Sequence, residues 1–143
     1  MATRRNLLTG VVGLVLLALS TSALAETTYL RLQPDKSHAK SSGVLALDKD
    51  SVGIIGNNLR PKAVYTVWFV NTRPRKHEIG AGEAPYMFRT NAKGNGIYLA
   101  GLDEPAFGEW EMVMVVLHPD GDPKNMKNMV GALSVKIPEK ARK

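Results

Sequence analysis

Residues 63–70 read Ala-Val-Tyr-Thr-Val-Trp-Phe-Val (AVYTVWFV). An alternating reading puts Tyr65, Val67 and Phe69 on one face and Val64, Thr66, Trp68 and Val70 on the other. Both faces are dominated by apolar or aromatic side chains, as in a strand covered on both sides. A second run of the same kind, WEMVMVVL at 110–117, sets Trp110, Met112, Met114 and Val116 on a common face. The pattern predicts that Trp68 and Trp110 are buried in one core, with Met112 and Met114 as adaptable filler.

Working outward, weaker alternation marks residues 28–32, 43–48, 52–56, 86–91, 96–102 and 131–137. The connections carry turn chemistry. Asp48-Lys49-Asp50 separates two of these runs, and Ala92-Lys93-Gly94-Asn95-Gly96 separates two others; glycine and asparagine tolerate the positive φ that tight hairpins need. Short strands, frequent turns and the lack of a helical window predict an all-β chain. The expected architecture is a single antiparallel β-sandwich, immunoglobulin- or cupredoxin-like, of about seven or eight strands. Two longer loops, 72–85 and 119–130, are the expected carriers of function on that scaffold.

The first 25 residues have a different character. Arg4 and Arg5 precede an uncharged run at 7–19 (LLTGVVGLVLLAL), and Ala23-Leu24-Ala25 stands just before Glu26. Basic, apolar, then small-x-small is the layout of a cleavable export signal, so residues 1–25 are expected to leave and 26–143 to work as one periplasmic or secreted domain. The alternative is an uncleaved membrane anchor. After cleavage no integral membrane span is expected. Thr3-Arg4-Arg5-Asn6-Leu7-Leu8 also has the look of a twin-arginine motif, which serves export in the folded state.

Loss of Arg4 and Arg5 with that leader lowers the formal charge from +6 to +4. Three further cations fall in Lys140-Ala141-Arg142-Lys143, a terminal tail. The body is close to neutral, and nucleic acid is not an expected partner. The chain has no cysteine. That excludes thiolate nucleophiles, blue-copper sites, thiolate-held iron–sulfur clusters and covalent haem attachment, and leaves the core to hold without disulfides.

No His-Glu-x-x-His or Gly-x-Ser-x-Gly spacing surrounds His38, His77 or His118, so the chain is expected to be non-enzymatic. His38, in Lys36-Ser37-His38-Ala39-Lys40, reads as part of a solvated loop. Arg73-Pro74-Arg75-Lys76-His77 is the densest basic cluster. Arg73, Arg75, Lys76 and His77 are therefore the candidate contacts for an anionic envelope or extracellular protein or glycan. No cofactor is expected on the leading reading. The alternative is copper: thioether and imidazole suit Cu(I), and His118, Met126 and Met129 would converge if the 119–130 loop folds back. Calcium at Asp120-Gly121-Asp122 fails the EF-hand spacing, because Lys124 stands where an oxygen ligand belongs.

The stretch Asn58-Leu59-Arg60-Pro61-Lys62-Ala63-Val64-Tyr65-Thr66-Val67-Trp68 resembles the G-L-P-x…Y-x-V/L-W segment of the extracytoplasmic domain of anti-sigma-K-type factors. That family's glycine-rich hairpin after an aromatic has a counterpart in Phe88 to Gly96. Its V-T-x-E-P turn has one in Val115-Val116-Leu117-His118-Pro119. Asn57 stands for the family's glycine and His118 for its glutamate. The resemblance implies a β-sandwich sensor-like or binding domain. It brings no sigma-binding region and no catalytic residues.

Overall fold

In the computed structural model residues 26–139 are described; residues 1–25, expected above to be an export signal, and the tail from Lys140 lie outside the described residues. The 63–70 stretch becomes β4 (Val64–Asn71), with every side chain buried except the half-buried Trp68 and Asn71. Around it the chain lays down β1 (Thr28–Pro34), a 3₁₀ turn (Lys36–His38), β2 (Ser42–Leu47) and β3 (Ser51–Asn57) before it. After it come β5 (His77–Gly80), β6 (Met87–Arg89), β7 (Gly96–Gly101), β8 (Met112–His118) and β9 (Val130–Lys136).

Every strand pairing is antiparallel. The order is β5-β4-β8-β9-β1-β2-β3-β7, with β6 following β5 along the same edge of β4. β1 is the joint of this curled sheet. Its first five residues pair with β2, and Gln33 and Pro34 pair with Ser134 and Leu133 of β9. The fold is thus an all-β antiparallel sandwich, with a β1-β2-β3-β7 layer facing a β5/β6-β4-β8-β9 layer.

Leu45, Leu47, Val52 and Ile54 from one layer meet Tyr65, Val67, Val113 and Val115 from the other in one apolar cluster. Each such side chain contributes on the order of 1.5–3 kcal/mol by leaving water, which is how the fold stands without a disulfide. The turns form as the sequence predicts. Asp48 Oδ1 accepts from the Asp50 and Ser51 amides, Asn91 Oδ1 accepts from those of Lys93 and Asn95, and Gly94 takes φ +79°.

Four expectations need correction. The 72–85 segment is not one loop, because His77–Gly80 forms β5 against Trp68–Asn71. Trp110 does not share the Met112 face: the strand begins at Met112, and Trp110 turns toward the core edge, its ring 6.2 Å from that of Phe69. Trp68 is on the opposite side of β4, half-buried, with Nε1 donating to Thr66 Oγ1 and its ring 5.7 Å from Tyr86. The two tryptophans therefore do not share one core. Met112 and Met114 lie opposite Val70 and Trp68, on that outer face, and are only half-buried.

His38 is the fourth. Far from being solvated, it retains 9% exposure, with Nε2 3.0 Å from the Tyr65 hydroxyl and Nδ1 2.8 Å from Ser37 Oγ. The partners fix the direction of the chain. Arg60 N–H donates to Tyr65 Oη, Tyr65 O–H to His38 Nε2, His38 Nδ1–H to Ser37 Oγ, and Ser37 to the Gly131 carbonyl. Burial lowers the His38 pKa against the opposing pull of Asp35, and burial likewise raises that of Tyr65. This histidine is a bracket tying the 3₁₀ turn to β4 and β9.

Candidate functional site

At Asn71 the chain leaves β4, runs through residues 72–76 and returns as β5. Arg73, Arg75, Lys76 and His77 are all exposed on this projection, so all four predicted contacts come together on one surface. Its base is rigidly held. The Glu111 carboxylate accepts from the Thr72 amide (3.2 Å), the Thr72 hydroxyl (2.8 Å) and the Arg73 amide (3.2 Å). Asn71 completes the clamp, receiving the Glu111 amide at 2.8 Å and donating Nδ2 to the Glu109 carbonyl at 2.8 Å. The Arg73–Pro74 peptide bond is cis. On β5 the His77 ring lies 5.3 Å from Trp110, which stacks on Phe69, so an aromatic line runs from the projection into the core.

Among the described residues the one ion pair is Lys76–Glu78, 3.8 Å apart and largely solvated. Arg73 and Arg75 therefore carry cationic heads not engaged by a carboxylate. The groove beside the projection is mixed in charge: Arg73 and Lys136 share its wall with Glu109, Glu111 and Glu139. An anion is thus better received on the outer side of the projection than in this groove.

Glu111 shows why the projection is ordered. The hydrogen bond from the Thr72 hydroxyl, and then those from the Arg73 and Thr72 amides, hold its carboxyl below the ordinary range. A depressed folded pKa means that the clamp is intact above the ordinary carboxylate range and is lost as pH falls through the lowered folded value. We expect the Thr72 and Arg73 amide resonances to shift together with an apparent pKa below that of a free glutamate, and to stop titrating in Glu111→Gln. Titration at the unperturbed value would remove the clamp from the argument.

The second predicted set lies at the other end of β4. The 119–129 segment does fold back, since His118 Nδ1 donates to the Asn125 carbonyl at 3.1 Å. His118 is 1% exposed, and its Nε2 lies 2.7 Å from Thr66 Oγ1, which in turn receives Trp68 Nε1 at 2.8 Å. With a carbonyl on one side, Nδ1 carries the proton and Nε2 accepts from Thr66. Both imidazole nitrogens are thus engaged, Nδ1 by the loop and Nε2 by β4. Met126 is exposed and Met129 half-buried. A copper ion on His118, Met126 and Met129 would have to take a nitrogen from Thr66 or Asn125. Asp120 and Asn125 bond each other within the same loop, and no three His, Asp or Glu side chains gather around one point among the described residues.

Compared with protein-family models, curated proteins and solved structures, the chain matches none of them.

A basic groove also surrounds the buried His38, at the opposite end of the sandwich from Arg73–His77. Lys36, Lys40 and Arg60 share its wall with Ser37, Ser41 and Asn58 over a floor that includes Leu59, Leu117 and Val130. Sequence reasoning missed it because its cations come from two segments, 36–40 and 58–60, that only the fold unites. Among the described residues no helix is long and apolar enough to cross a membrane.

Proposed function

We propose that this chain is an exported, non-enzymatic β-sandwich that binds an anionic envelope or extracellular partner, an acidic glycan or an acidic protein surface, through Arg73, Arg75, Lys76 and His77. The observation that carries this reading is the clamped projection: three cations and a histidine are displayed on a short turn whose base Glu111 and Asn71 fix. Pre-ordering matters because fixing one residue's backbone costs about 1–2 kcal/mol, and at Thr72 and Arg73 the Glu111 contacts already meet it. The leader at 1–25 supports a periplasmic or secreted setting, and the likeness to anti-sigma-K-type extracytoplasmic domains supports a sensing or docking role.

The test uses the protein purified after export and an immobilised acidic polysaccharide or envelope extract. Arg73→Glu with Arg75→Glu and Lys76→Glu should reduce retention at least tenfold and flatten its salt dependence, while thermal unfolding stays within the range of surface substitutions. Unchanged retention of every component would remove the projection as the binding surface. The copper alternative makes a different forecast: Cu(I) uptake that survives a competing chelator and is lost in Met126→Ala and Met129→Ala. Micromolar or weaker uptake, indifferent to those substitutions, is what the binding reading expects.

A further inference from the structure

The outward face of the β1-β2-β3-β7 layer is apolar where a solvated sheet face should be polar. Leu99 is 78% exposed, Ile97 and Tyr29 71%, and Val44 and Ile55 about half. Register shows that these are neighbours. One row across the four strands is Arg31, Val44, Ile55, Ile97, and the adjacent row is Tyr29, Ala46, Gly53, Leu99. Arg31 is the one charged side chain in the two rows. Polar residues frame them on β2 and β3, Ser42 and Asn57 at one end and Asp48 and Ser51 at the other. A contiguous apolar patch with a polar frame marks an interaction surface rather than scattered surface hydrophobics.

We propose that this face is the contact of a two-fold homodimer, covered by the same face of a second copy. The pattern is complementary to itself. A two-fold axis lying across the strands, midway between the rows, sets each row over the other row of the partner copy. Ile55 then stands over the hollow at Gly53, and Val44 over the small Ala46. Ile97 meets Leu99. Arg31 comes over the Tyr29 ring, a cation–π arrangement that also keeps the two guanidinium groups from facing each other. Large thus falls on small and cation on π face, which is the condition for an isologous contact.

Alternative ways for this layer to associate are less open. Along the free side of β7, the Tyr98 hydroxyl donates to the Ala81 carbonyl, and Gly82 packs against Ala100. The 81–86 segment thus crowds β7 against strand addition. The size of the face sets the class of association. Four strands about 4.8 Å apart and six residues of about 3.4 Å each give on the order of 400 Å² in projection. Two such faces bury roughly 1,000 Å² of accessible surface, at the low end of specific association. A face of this size fits a weak, reversible dimer.

The test expresses the full sequence with export allowed, fixes the start of the purified protein by intact mass, and follows sedimentation from about 10 µM to 1 mM. A monomer–dimer equilibrium is expected, weakened at least tenfold in Ile55→Asp with Leu99→Asp, two exposed positions where circular dichroism should stay native. The absence of native cysteine permits a register test. Ile55→Cys mixed with Gly53→Cys should form a cross-copy disulfide faster than either variant alone. Gly53 has room for the added atom, whose nearest neighbour would be Leu99 at 3.5 Å. A monomer throughout the range, association indifferent to the aspartates, or aspartate-sensitive flotation with lipid vesicles by a protein that stays monomeric would each overturn the proposal.

Discussion

Tyr65→Ala is expected to cost about 4–5 kcal/mol of folding stability, most of what an ordinary domain has. The ring is fully buried, stacked 5.5 Å from Phe88 and edge-on to His38 at 5.8 Å. Its removal opens a cavity in the middle of the sandwich. The loss does not stop at packing, because the hydroxyl both receives the Arg60 amide and supplies His38 Nε2. Tyr65→Phe separates the two contributions: it keeps the ring and leaves both partners short of a bond, for about 1–3 kcal/mol. Urea unfolding followed by tryptophan fluorescence measures both variants. If the alanine variant lost no more than the phenylalanine variant, the buried Tyr65 ring would add nothing to the stability of the core.

The second large effect is expected at Gly94→Ala. Gly94 sits at φ +79°, and a Cβ built there would collide with the Leu59 carbonyl oxygen and crowd the rest of that peptide unit. Neither can yield cheaply. Leu59 is buried and its amide donates to the Gly94 carbonyl, so the hairpin tip and the β3–β4 connection are locked together. We expect a loss of about 3 kcal/mol or more, from backbone strain plus the displaced contact. Gly121→Ala is the control. It has a similar φ of +76° with nothing within 4 Å of the added carbon, so strain alone should cost about 1 kcal/mol. Equal losses at the two positions would show that the Leu59 contact carries no weight.

The central strands were legible in the sequence because their signal is local. Residues 63–70 and 112–117 are apolar on nearly every position, and a strand buried on both faces leaves little else for such a run to be. The hairpin turns were legible for the same reason, since Asp48, Asn91 and Gly94 act within a few residues of themselves. The exposure of Arg73 to His77 followed from a contiguous run of charge. What escaped depends on partners far along the chain. His38 sits among lysines and serines, and its burial comes from Tyr65, 27 residues away. β5 carries His77 and Glu78, as edge strands often do, so its residues read as loop. Trp110 follows the alternation of its run on paper, but the Glu111 clamp ends that alternation before the strand begins.

The joint between the layers sets the order in which the molecule can be completed. Among the described residues β1 is the first strand and β9 the last, and the layers are joined where these two meet, at Gln33–Ser134 and Pro34–Leu133. A growing chain can assemble the β1-β2-β3 meander early, yet one side of β1 waits until residues 130–136 have been synthesised. Closure is therefore postponed until β9 is available. A chain stopped short of β9 would retain two separate half-sheets, each with an open flank, rather than a smaller version of the same domain.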